Sequence, residues 1–270
     1  CQAIVKKAIV EKMKEKYKVK WFEETGPRYT IEVGVLKDKV TITLDTSGPG
    51  LHKRGYRKLV GRAPLKETMA ASLVSLSNWH PERPLIDPFC GSGTIPIEAA
   101  LKGMNIAPGL RREFASEKWP RVSERLWKNA RIEAEELIER DRDLEIEGYD
   151  IDREAISLSR YHAKQAGVEQ KIHFQQRELS QLQTKKRYGY LICNPPYGER
   201  LEDIPAVEYL YREMGSTFKK IDTWSFYVLT SHANFEQLFG KKSDKNRKLY
   251  NGRIQCHYHQ YYGPRPPINK

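Results

Sequence analysis

From residue 65 onward, short apolar runs alternate with stretches of helical spacing, and this alternation constrains the chain more than any other feature. Helices are predicted over 65–77, 94–102, 153–166, 205–220 and 233–239. Strand-like runs fall at 84–89 (PLIDPF), 145–149 (EIEGY), 171–175, 188–193 (YGYLIC) and 224–230 (WSFYVLT), and 253–262 reads as a hairpin strand. Strands that succeed one another through helices run parallel. The expected fold is therefore α/β, a doubly wound sheet with helices on both faces. Residues 105–143 break the rhythm and read as an insertion: a charged helix over 121–142 with Trp119 and Trp127 packed on it. The alternative for that segment is a wall of the substrate cleft.

The front of the chain is different. Residues 3–18 read as a basic amphipathic helix, and 28–36 with 39–45 as a β-hairpin around a Lys-Asp turn. One helix and two strands are too little for a stable domain. Residues 1–45 are accordingly expected to be the C-terminal part of a small α/β domain, in a chain that starts in mid-pattern at Cys1. Residues 46–64 lack periodicity, are rich in Gly, Pro and cations, and read as a linker. As a functional strip it would offer His52, Lys53, Arg54, Arg57, Lys58 and Arg62 to phosphates and Tyr56 for stacking on a base.

Charge supports a polyanionic partner, since 47 Lys and Arg against 35 Asp and Glu give a net +12. The four cysteines, Cys1, Cys90, Cys193 and Cys256, are dispersed, which speaks against a disulfide framework or a zinc site and for a reducing cytoplasmic setting. No apolar run is long enough to span a membrane, and no signal-peptide pattern opens the chain. Neither a metal nor a membrane partner is expected, and a monomer is the simplest assembly.

Three motifs carry chemistry. The first, DPFCGSGT (87–94), follows a strand and opens a helix. Gly91 and Gly93 let the backbone turn and approach a ligand at the free helix N–H groups. Asp87 at the strand end suits a cationic or amine-bearing ligand. There is no third glycine of a dinucleotide fingerprint and no P-loop lysine. The second, GYDID (148–152), places Asp150 at a strand tip, where a carboxylate accepts hydrogen bonds from ribose hydroxyls; Asp152 is the fallback, and it also suits a helix N-cap. The third, CNPPYGERL (193–201), combines the Asn194 amide oxygen, the carbonyls of Pro195 and Pro196 and the aromatic face of Tyr197. That set suits a planar group bearing an –NH2.

Together these motifs resemble the amino-group class of S-adenosylmethionine methyltransferases. With LDTSGPGLHKRGYR, APLKETMAASL, DPFCGSGTIPIEAA and NPPYGERL in order, the chain resembles the THUMP-domain-linked RNA methyltransferases. Within these it is similar to the bacterial 23S rRNA guanine-N2 methyltransferase family, whose members often carry the label of N6-adenine-specific DNA methylases. The resemblance implies a Rossmann-like class I methyltransferase domain over 65–270 after a partial THUMP domain. S-adenosyl-L-methionine is the implied cofactor and RNA the implied substrate, ribosomal in preference to transfer RNA. Asp87, Phe89, Cys90, Gly91, Gly93 and Thr94 would line the methionine and sugar part of the cofactor. Asp150 would hold the ribose, Ile151 would lie against the adenine, and Glu178 would stand where relatives commonly carry an Asp on the adenine amine. Lys66, Glu67 and Thr68 would cover the cofactor, while Asn194, Pro195, Pro196 and Tyr197 would hold the target base. Rival readings are a DNA adenine-N6 methyltransferase, a protein glutamine methyltransferase and a non-catalytic RNA-binding module.

Overall fold

A computed structural model describes residues 2–57, 59, 65–198 and 203–267; Lys58 and Arg62 of the basic strip lie outside them. The chain divides into two compact units, Cys1–Gly48 with Phe114–Ser123, and Pro49–Glu113 with Glu124–Lys270.

The smaller unit holds helix α1 (Gln2–Tyr17) and the antiparallel pair β1 (Thr30–Leu36) and β2 (Lys39–Asp45). The hairpin closes on Lys37 and Asp38, both at positive φ, as a two-residue turn requires. None of the residues of α1 is fully buried, so its amphipathic spacing covers no core here. Val35, Leu36, Val40 and Ile42 are likewise exposed, because two strands and a helix offer too little cover. Part of the expected insertion belongs to this unit: Trp119 is buried, stacks on Tyr29 at 4.7 Å and donates its indole N–H to the Arg28 carbonyl at 3.1 Å.

The larger unit is a seven-stranded sheet. Its elements are α2 (Glu67–Leu76), β3 (Leu85–Asp87), α3 (Thr94–Gly103), α4 (Glu124–Glu136), β4 (Ile146–Asp150), α5 (Arg153–Ala166), β5 (Ile172–Gln176), β6 (Tyr190–Cys193), α6 (Ile204–Phe218), β7 (Ser225–Thr230), α7 (Phe235–Phe239), β8 (Lys245–Asn251) and β9 (Ile254–Tyr261). The strand order is β5-β4-β3-β6-β7-β9-β8, parallel from β5 to β7 and closed by the antiparallel β8–β9 hairpin. β8 is the outer edge. The expected charged helix is shorter than its sequence pattern suggests, and as α4 it buries none of its residues.

Each sheet face has its own core. One packs Ala70 and Leu73 of α2, Ile97 and Ala100 of α3 and Ile156 and Ala163 of α5 against Leu85, Ile146 and Tyr258. The other packs Val207, Tyr211, Met214 and Phe218 of α6 and Phe235 and Phe239 of α7 against Ile86, Leu191 and Val228. The periodicity of these helices is thus the periodicity of their contact with the sheet. Among the described residues, no helix is long and apolar enough to cross a membrane.

Candidate active site

The strand order reverses between β3 and β6, and a crevice opens outside the carboxyl ends of strands at such a point. The three motifs meet there. Asp87 ends β3, Asp150 ends β4, and Asn194 follows β6 directly. A cleft of about 450 Å³ is lined by Pro88, Phe89, Asp150, Ile151, Glu178, Asn194, Pro195, Pro196 and Tyr197 from those motifs.

The turn after β3 is held by backbone bonds. Cys90 N–H donates to the Tyr149 carbonyl at 2.8 Å, and Gly93 N–H to the Cys90 carbonyl at 2.7 Å. Gly91 lies at φ +50° and Gly93 at φ +81°. A Cβ on Gly93 would stand 2.9 Å from Ser159 Cβ and 3.0 Å from the Phe174 ring, so only glycine lets α3 start this close to α5 and β5. A Cβ on Gly91 would meet nothing within 4 Å and would project into open space beside the strand ends. Asp150 is drawn into this turn: one carboxylate oxygen accepts from Gly91 N–H at 2.9 Å, the other from Asp152 N–H at 3.0 Å. Asp152 itself caps α5 through the Glu154 amide at 2.8 Å.

Asp87 is buried, and its side chain accepts from the Phe89 amide at 3.1 Å. Burial pushes its carboxyl well above the usual carboxylate range, and the nearby Asp150 charge adds to the effect. Asp150 lines the crevice with Asp87 buried just behind its wall, and two acids this close favour a cationic ligand, whose charge offsets their repulsion. Burial also pushes the Cys90 and Cys193 thiols up, away from the reactive thiolate form.

The Asn-Pro-Pro-Tyr loop is tied from two sides. Tyr197 donates its hydroxyl to the Asn194 side-chain oxygen. Tyr211 of α6, fully buried, donates to the Pro196 carbonyl at 2.7 Å. It also contacts the Thr230 hydroxyl at 2.8 Å, and Thr230 in turn accepts the His232 amide at 3.1 Å. A carbonyl cannot donate, so the Tyr211 proton goes to Pro196 and the Thr230 hydroxyl donates to Tyr211. Sequence reading missed this tether. It also missed Arg177, Ser180, Leu210, Glu213 and Asn251 on the cleft wall. Only Asn251 carried a local signal, because Gly252 follows it at the hairpin turn.

Other expected site residues lie elsewhere. Lys66, Glu67 and Thr68, at the start of α2, are not among the described residues lining the cleft, and neither are Asp87, Cys90, Gly91, Gly93 and Thr94. Glu67 is buried 3.5 Å from Arg57, and Thr94 accepts from the same guanidinium at 2.6 Å. The strip at 52–57 requires correction. Tyr56 is buried, with 3% of its surface exposed, and donates its hydroxyl to Glu98 at 3.0 Å, so it has no free face for a base. Arg54 reaches the same carboxylate at 3.5 Å, and Arg57 also donates to the Leu65 carbonyl at 2.9 Å. These cations neutralise buried acids of α2 and α3, because a buried carboxylate demands a partner. Of that strip Lys53 is exposed and His52 half-buried.

Glycines that open the backbone, paired acids that attract a cation, and a loop of amide and carbonyl acceptors set this crevice apart from nucleotide-hydrolysing members of the same architecture. The class they define is the S-adenosylmethionine-dependent methyltransferases. The chain belongs to the RMKL-like methyltransferase family: the domain described as "RMKL-like, methyltransferase domain" matches residues 54–260, and a THUMP domain matches residues 1–45. It is 52% identical to "Putative RNA methyltransferase YpsC" of Bacillus subtilis (strain 168) over 100% of this chain and 71% of that protein. It is 39% identical to "Ribosomal RNA large subunit methyltransferase K/L" of Shewanella woodyi over 86% of this chain, but spans only 34% of that protein. Among solved structures, SMU.472 complexed with SAH superposes with a TM-score of 0.92 at 48% identity, covering 98% of this chain and 71% of that one. A Listeria monocytogenes protein titled "predicted N6-adenine-specific DNA methylase" gives 0.91 at 55% identity, covering 98% of this chain and 69% of that one.

Proposed function

We propose that this chain transfers a methyl group to an exocyclic amine of a base in RNA, with guanine N2 of 23S ribosomal RNA as the target. The observation that carries this reading is the placement of Asn194 and Pro195 in one cleft with Asp150 and Phe89. The THUMP match and the ribosomal RNA and RNA methyltransferase names of relatives support RNA over DNA.

The residues fit the cofactor on this structure's own terms: Asp87 is a buried acid set beside Asp150 at the strand ends, and Gly91 leaves room where a side chain would stand. Asp87, Phe89 and Gly91 would hold its amino-acid and sugar portion, Asp150 its ribose, and Ile151 and Glu178 its adenine. When bound, S-adenosylmethionine supplies an electrophilic methyl on a sulfonium sulfur. The protein's task is the nucleophile. An exocyclic amine is weak because its lone pair is delocalised into the ring. The Asn194 oxygen has a second lone pair besides the one facing Tyr197, and with the Pro195 carbonyl it accepts the two amine hydrogens. That favours a pyramidal nitrogen and stabilises the positive charge that develops on it. Tyr197, on the cleft wall, repays part of the cost of unstacking the base.

Tritiated-methyl transfer onto unmodified ribosomal RNA, transfer RNA and DNA in parallel, followed by nucleoside analysis, tests the reading. Label is expected in ribosomal RNA as N2-methylguanosine; label only in DNA as N6-methyladenine overturns it. Asn194→Ala should cut transfer by roughly 10²–10³-fold, the scale of losing a transition-state acceptor, with cofactor affinity within a few-fold.

A further inference from the structure

With Arg54, Tyr56 and Arg57 turned inward onto buried acids, much of the expected strip is taken out of reach of RNA, and the β8–β9 hairpin offers another basic surface on the larger unit. β7 ends at Thr230, which pairs with His257, whereas β9 begins three residues earlier at Ile254. The hairpin therefore overhangs the carboxyl ends of the parallel strands by about 10 Å at ~3.4 Å per residue. Its turn is Gly252–Arg253, with Gly252 at φ +65°, and Asn251 beside the turn lines the cleft.

The sequence of this overhang is one-sided in charge. Residues 245–254 contain Lys245, Arg247, Lys248 and Arg253 and no acid. Asp244, just before β8, accepts the Tyr262 amide at 2.7 Å, and Glu236 is engaged by the Ser243 amide at 2.9 Å and by His259 at 3.3 Å. Alternation along β8 puts Lys248 and Tyr250 on one face, opposite His257 and Gln255 of β9. Tyr250 is 54% exposed, and the Lys248 ammonium stands 5.5 Å from the centre of its ring. An exposed aromatic with cations on either side in sequence, leading to the mouth of a base-binding cleft, has the chemistry of a single-strand platform: ring for base, cations for phosphates.

We propose that the β8–β9 hairpin is the docking surface for the single-stranded RNA that carries the target base. Tyr250 stacks a flanking base on one face of the hairpin, Lys248 and Arg253 contact its phosphates, and the strand crosses the rim to Asn251, which alternates to the other face and meets the target nucleotide as it enters the cleft. This rests on the RNA reading above and adds where the strand runs.

The test measures binding of a 30-nucleotide single-stranded RNA and of unmodified 23S ribosomal RNA by the whole chain, across a salt series. Lys248→Gln/Arg253→Gln should weaken RNA binding about 10-fold near 0.1 M salt and lower the slope of log K against log salt by about 1.4, two contacts at ~0.7 each for single strands. Tyr250→Ala should weaken it about 10-fold, with Tyr250→Phe restoring it. S-adenosylhomocysteine binding by calorimetry should match wild type in every variant, which confirms a folded cleft. Lys219→Gln/Lys220→Gln, an equal loss of charge at the end of α6, should leave the RNA slope unchanged. A wild-type protein that methylates RNA while its hairpin variants keep wild-type affinity and slope overturns the hairpin assignment alone. An α6 control that loses as much as the hairpin pair overturns that assignment too. A wild-type protein that binds and methylates no RNA overturns the functional reading and the hairpin with it.

Discussion

Tyr211→Phe removes one oxygen from the centre of the molecule, and the structure says what that oxygen does. It donates to the Pro196 carbonyl at 2.7 Å and receives the Thr230 hydroxyl at 2.8 Å, with the ring edge-on to Phe235 at 5.0 Å. Phenylalanine keeps the ring packing, so no cavity of consequence forms. Pro196 is exposed, and its carbonyl recovers a bond from water. Thr230 is fully buried and has no such recourse. The stability loss is therefore that of one stranded buried hydroxyl, about 1–2 kcal/mol. At ~2–4 °C per kcal/mol for a chain of this size, Tm should fall by about 2–8 °C in differential scanning calorimetry. The catalytic loss should be larger in proportion. The loop bearing Asn194 and Pro195 loses its tether to α6, and a displacement near 1 Å in an acceptor costs on the order of 10²-fold. Turnover measured by tritiated-methyl transfer is expected to drop 10–100-fold, with the KM for S-adenosylmethionine within about two-fold because the turn after β3 is untouched. A variant that loses the expected few degrees of Tm yet turns over within two-fold of wild type would refute the tether as a positioning device.

Two further perturbations probe the surrounding scaffold. Glu98→Ala strands Arg54 and leaves the Tyr56 hydroxyl without its acceptor; breaking a buried pair of this kind costs about 3–5 kcal/mol, which thermal unfolding will register as a drop on the order of 10 °C. If residues 52–57 instead faced RNA, the same change would leave Tm near wild type and strengthen RNA binding. His259 is held below its ordinary value of 6.5, chiefly by burial and further by His257, against the opposing pull of Glu236 at 3.3 Å. Its neutral form is the folded form, so its contribution is fully present above pH 6.5 and is lost as pH falls below it, because the unfolded chain takes up the proton first. The Glu236 carboxyl is held below its ordinary range by Ser243 and His259 and adds to the same acid sensitivity at lower pH. Urea midpoints at pH 8 and 5.5 should therefore differ more in wild type than in His259→Gln; an equal difference in both rules the histidine out as the source.

What was legible in the sequence was local. Asp87, Asp150 and Asn194 could be placed at strand ends because each follows an apolar run and precedes a helix signal, and those positions are where they stand. Contacts distant in sequence were not legible. Nothing in the letters joins Tyr56 to Glu98, 42 residues on, or Tyr211 to Pro196, 15 residues back. A run of cations and a tyrosine looks the same whether it faces solvent or buried acids, and only folding decides that Tyr56 turns in and Tyr250 turns out. β8 was missed for the opposite reason: KNRKLYN carries little apolar alternation, because an edge strand beside β9 has one neighbour and little to bury. Trp119 was read as packing on the charged helix; it stacks on Tyr29, a partner too distant in sequence for any local pattern to reveal.

The position of β8 at the rim of the sheet has a consequence for the molecule's behaviour in concentrated solution. A rim strand presents unpaired N–H and C=O groups, to which any extended segment can add. Lys245 and Lys248 are exposed along that rim, and β8 of a second molecule could dock there only by bringing like charges together. The lysines thus guard the sheet against growing from one molecule into the next. Neutralising them with glutamine preserves a polar rim, whereas valine or isoleucine in their place would turn β8 into a seed for aggregation.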